Sequence, residues 1–134
     1  MIGHVIAAGA VSALGSGRLA YHVAVADEPA HTAIAEDPEL VAAGLTRPRS
    51  ARVVDALPAR GDRATALLSA ATQPVVAVLD TAWPAWREQR IGLCVGTSSG
   101  GMLAAERFFA GEDAAAADAT YFAPHRAVAD ELAL

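Results

Sequence analysis

Apolar residues along this chain gather in short runs closed by glycine or proline. The first is His4-Val5-Ile6-Ala7-Ala8, which runs into Gly9. A nearly all-apolar run of this length predicts a strand buried on both faces. Gly9-Ala10-Val11-Ser12-Ala13-Leu14-Gly15-Ser16-Gly17 is a glycine-punctuated turn, and Tyr21 to Ala26 predicts a second strand. Pro29, Pro38, Pro48 and Pro58 then interrupt residues 27–61, which read as loop and short elements. Within them Asp37-Pro38-Glu39-Leu40-Val41 has the cap-then-proline order of a short helix start.

Beyond residue 61 the periods are clearer. Asp62 is placed to cap a helix from Arg63 to about Thr72, with Leu67, Leu68 and Ala71 on one side. The run Val75-Val76-Ala77-Val78-Leu79 after Pro74 has two readings. Its β-branched content suits a buried strand, while a helix with Pro74 at its first position puts Val75, Leu79 and Trp83 on one face and must end near Pro84. Arg90-Ile91-Gly92-Leu93-Cys94-Val95-Gly96 predicts a core strand, Thr97 to Gly101 a turn, and Met102 to Phe109 a helix. Gly111 to Thr120, acidic and rich in alanine, is a second helix or a link. His125 to Leu134 has helical spacing, with Val128, Leu132 and Ala133 on its inner side. Strands alternating with helices predict an α/β layered architecture, taken as a single domain over residues 1–134.

Composition narrows the partners. The apolar share is 54% but the aromatic share only 5%, so the core is to be built from small side chains in close contact. All ten basic residues are arginine, against fifteen acids, and the net charge of −5 disfavours nucleic acid and anionic membranes as partners. Met1 to Ala10 lacks the basic start of a signal peptide, and no run approaches the roughly 18 apolar residues of a membrane span. A single cysteine, Cys94, leaves no internal disulfide. The expectation is a soluble cytoplasmic protein.

Familiar catalytic and cofactor patterns are not met. Gly9, Gly15 and Gly17 do not fit G-x-G-x-x-G, and the Gly96 to Gly101 turn has no P-loop lysine. Cys94 sits mid-run between Leu93 and Val95, as an inert core thiol does. Ser98 and Ser99 lack the central, glycine-flanked position of a nucleophile elbow. His4, His22, His31 and His125 show no metal-ligand spacing, and Glu36-Asp37 and Glu112-Asp113 read as solvated acids. No catalytic residue, metal or cofactor is assigned.

Three segments in order nevertheless resemble one family. His4 to Gly15 is similar to the opening strand and Gly-Ala-Val-Ser-x-Leu-Gly turn of β-ketoacyl synthases. Arg90 to Gly101 is similar to that family's strand ending in Gly-Thr/Ser-x-x-Gly-Gly before a helix. Tyr121-Phe122-Ala123-Pro124 resembles the aromatic-proline step that follows. The resemblance reaches both ends of the chain but not residues 18–60, and Asp130 and Glu131 stand where relatives are commonly apolar or amide-bearing.

The resemblance implies a thiolase-like layered fold, of which this chain supplies the N-terminal part and another chain the rest. It implies helix from about Leu68 to Trp83. It implies a substrate pocket wall at Thr97, Ser98, Ser99, Gly100, Tyr121 and Phe122, and an interface at Pro124, His125 and Val128. The family's acyl-accepting cysteine and its histidines match positions beyond Leu134, and Cys94 aligns with a structural strand position. The function implied is therefore the N-terminal subunit of a split ketosynthase-like acyltransferase in fatty-acid or polyketide-type biosynthesis. Its partners would be a C-terminal ketosynthase-like chain carrying the cysteine and histidines, and an acyl carrier protein or acyl thioester. Two other readings stand beside it: a non-catalytic partner resembling a chain-length factor, and an unrelated small α/β binding module.

Overall fold

The structure is a computed structural model that describes residues 3–21, 33–53, 57, 62–98 and 100–134. It is mixed α/β, with four helices and two small two-stranded sheets among the described residues. The 134 residues divide into two compact units, Gly9–Ala56 and Met1–Ala8 with Leu57–Leu134.

In the Gly9–Ala56 unit the glycine-punctuated turn folds as a tight antiparallel hairpin. Strands β1 (Val11–Ser12) and β2 (Gly15–Ser16) pair Val11 with Ser16 and Ser12 with Gly15. Gly15 and Gly17 take φ of 131° and 61°, conformations that a side chain disfavours, so the glycines permit the reversal. The Ser12 hydroxyl donates to the Ala20 carbonyl at 3.2 Å, tying the hairpin to the 3-10 turn Gly17–Tyr21. The expected strand at residues 21–26 lies outside the described residues except for Tyr21, which belongs to that turn.

The same unit holds a second hairpin around a helix. β3 (Ile34–Glu36) and β4 (Arg49–Ala51) are antiparallel, with Ala35 opposite Ser50, and α1 (Pro38–Ala42) lies between them in sequence. Asp37 organises this element. Its carboxylate caps α1 through the Glu39 N–H at 3.0 Å and accepts from Ser50 Oγ at 2.6 Å and Arg52 Nε at 2.5 Å. Only 4% of Asp37 is exposed, so these donors replace the water it has lost. The Arg52 guanidinium, followed by the Ser50 hydroxyl, holds the Asp37 carboxyl far below the usual carboxylate range. Glu36-Asp37 reads in sequence as a pair of solvated acids; Glu36 is exposed, but Asp37 is buried and hydrogen-bonded.

In the other unit, α2 (Arg63–Ala82) runs for 20 residues straight through Pro74. This agrees with the helical reading of residues 75–79 and not with the strand reading, but the helix from Arg63 does not stop near Thr72, and Pro74 lies inside it instead of opening a second helix. Pro74 is exposed and removes one N–H from the helix ladder, and the helix continues through it. The helix starts at Asp62, whose Oδ1 accepts the Ala64 N–H at 2.7 Å, and stops at Trp83, immediately before Pro84. Its buried residues, Thr65, Ala66 and Ser69, follow the i, i+1, i+4 spacing of one face.

Helix α4 (Ala123–Leu132) packs along α2 and buries Ala123, Pro124 and Val128. Val128 is 1% exposed, a burial that contributes on the order of 1.5–3 kcal/mol. The Ser69 hydroxyl donates across this contact to Glu131 Oε2 at 2.5 Å. Ala133, expected on the buried side, instead terminates α4 at φ 56° and is exposed. The 3-10 turn Pro84–Glu88 folds back on α2 and buries Trp86. The Trp86 indole donates to Asp80 at 2.7 Å, and Arg87 both pairs with Asp80 and stacks 4.2 Å over the indole ring. The Arg87 guanidinium, then the indole, lowers the Asp80 carboxyl from its ordinary value.

Two expected strands are not strands. Residues 4–8 and 90–96 pair with no strand among the described residues. Val5 is 89% exposed and Ile6 59%, where a strand buried on both faces was expected. A strand is made by its ladder neighbour as much as by its side chains, and neither run finds one here. The stretch 111–120 forms turns, not a second helix.

Candidate functional site

The glycines of Thr97–Gly101 are there for close packing. Thr97 Oγ1 accepts the Gly100 N–H at 3.0 Å, closing the turn. Gly100 and Gly101 are both buried against residues 118–124. A Cβ on Gly100 would stand 2.9 Å from Pro124 Cγ and 3.0 Å from the Tyr121 carbonyl oxygen. On Gly101, at φ 71°, it would stand 2.2 Å from the Thr120 carbonyl oxygen. No side chain fits there. The turn then leads into α3 (Met102–Phe109), whose first hydrogen bond runs from the Ala105 N–H to the Gly101 carbonyl at 2.8 Å.

Asp62 fixes the turn from the other side. Its Oδ2 accepts from Thr65 Oγ1 at 3.0 Å and from the Gly101 N–H at 3.3 Å, while Oδ1 caps α2. One buried carboxylate therefore joins the start of α2 to the head of α3. The Gly101 N–H, which an incoming anion would need, is already occupied by this side chain.

Packing the turn against residues 118–124 creates a groove of about 320 Å³, lined by Leu93, Val95, Thr97, Tyr121, Phe122 and His125. Residues 93, 95 and 97 line it alternately, whereas Cys94 is exposed and is not a lining residue. Tyr121 and Phe122 keep 58% and 75% of their surface exposed, so the groove is an open trough with aromatic sides. Its polar groups are the Thr97 hydroxyl, the Tyr121 phenol and the half-buried His125 imidazole. The walls are as polar as they are apolar, so the groove offers hydrogen bonds beside its apolar contacts.

The sequence-predicted residues fall into distinct places. Thr97, Tyr121, Phe122 and His125 come together in the groove. Gly100 lies beneath it, under Pro124, and Ser98 is exposed without lining it. Ser99 lies outside the described residues. Pro124 and Val128, expected at an interface, are buried within the chain's own α4 packing, and His125 alone of that set lines the groove.

Sequence reasoning missed Leu93 and Val95 as lining residues, although their alternation with Thr97 carried the signal. It also saw Asp62 only as a helix cap; nothing in the sequence marks a contact 39 residues away.

A second cavity, of about 380 Å³, is lined by residues of α2, α3, α4 and the 113–118 segment, Arg107, Asp113 and Asp118 among them. No group of three or more His, Cys, Asp or Glu side chains is placed to hold a metal ion among the described residues. No helix among them is long and apolar enough to cross a membrane. No protein-family model, curated protein or solved structure matches this chain.

Proposed function

We propose that this chain is the N-terminal part of a ketosynthase-like acyltransferase and forms one wall of its acyl pocket. In this reading a C-terminal ketosynthase-like chain supplies the acyl-accepting cysteine and the histidines. The substrates are acyl thioesters, delivered by an acyl carrier protein in fatty-acid or polyketide-type biosynthesis. One observation supports it above the others: the two segments Thr97–Gly101 and Tyr121–Pro124, which carry much of the resemblance, converge on a single groove. The uncovered apolar run at residues 4–8 is the kind of surface that a completing partner buries.

The test is co-expression with the reading frame directly downstream, followed by mass spectrometry of what co-purifies. The expected result is a stoichiometric complex whose partner cysteine gains an acyl group from an acyl carrier protein. Phe122→Ala, at the exposed side of the groove, is expected to slow that acylation while the complex still forms. Purification of this chain alone as a compact monomer with cooperative unfolding would overturn the reading.

A second reading, a non-catalytic partner resembling a chain-length factor, is separated from the first by what the partner carries. It predicts a co-purifying chain without a reactive cysteine. The third reading, a free-standing small α/β binding module, predicts the stable monomer.

A further inference from the structure

We draw no further inference here: the strongest candidate, the cavity of about 380 Å³ between α2, α3, α4 and the 113–118 segment, has alanine walls and exposed carboxylates, its buried Asp62 is already hydrogen-bonded by the chain itself, and nothing in the structure points to a ligand for it.

Discussion

Replacing Gly101 by alanine tests the seating of the 97–101 turn most directly. Two costs combine. A non-glycine residue held in the left-handed region loses about 1–2 kcal/mol. The added methyl also meets the Thr120 carbonyl oxygen at 2.2 Å and the Asp118 carbonyl oxygen at 2.8 Å, both backbone atoms that no rotamer change can move. Overpacking of this kind costs about 1–3 kcal/mol. Gly111 supplies the control, because it has a similar φ of 76° and open space around its Cβ position. Gly111→Ala therefore bears only the conformational cost. The difference between the two variants, about 1–3 kcal/mol, corresponds to roughly 5- to 150-fold in local opening. Native-state hydrogen exchange reads it at the amides of α3 and of residues 120–128, where Gly101→Ala should lose that much more protection. Equal protection in the two variants would refute the close approach of the turn to residues 118–120.

Three further outcomes follow from the same geometry. Asp62→Ala removes a helix cap, about 1 kcal/mol, and strands the buried Gly101 N–H, about 1–3 kcal/mol; urea denaturation of whichever species purifies, the complex or the chain alone, should show a loss of about 2–4 kcal/mol, with Asp62→Asn losing less. Asp37 has a folded pKa below its unfolded value near 3.9, so its contribution is fully present above about pH 4 and is lost as the pH falls toward the folded value. Far-UV circular dichroism between pH 5 and pH 2 should show this acid limb, and Asp37→Asn should flatten it. Pro74→Ala restores an N–H for the ladder of α2 and should raise stability by roughly 1–3 kcal/mol in the same urea assay; a loss would mean that the proline is itself a packing contact.

Where structure is written locally, the sequence was legible. The caps at Asp37 and Asp62, the stop before Pro84, the helix at 102–109 and the inner position of Val128 all follow from side chains within a turn or two of their effect. The fate of residues 75–79 was balanced in the pattern, because β-branched residues suit both elements when packing decides. The runs at 4–8 and 90–96 read as strands and pair with no strand among the described residues, since a ladder needs a neighbour that their own residues do not specify. The groove was legible in part. Thr97, Tyr121, Phe122 and His125 stand out in the sequence, but Leu93 and Val95 read as strand core, and the 39-residue link from Asp62 to Gly101 leaves no trace in either segment.

The seating of Gly100 and Gly101 also bears on how this sequence can drift. A side chain on Gly100 needs the Pro124 ring and the Tyr121 carbonyl to move, and one on Gly101 needs the Thr120 and Asp118 carbonyls to move, so the turn is tied to the path of residues 118–124. The exposed residues between them, such as Glu106 and Phe109, answer to no such constraint. Lineages descended from this chain should change freely at those exposed positions while holding the buried Ala104 and the two ends of the interval. At Gly101 the obstruction is backbone, so no side-chain change at the other end relieves it, whereas at Gly100 loss of the Pro124 ring would relieve part of it.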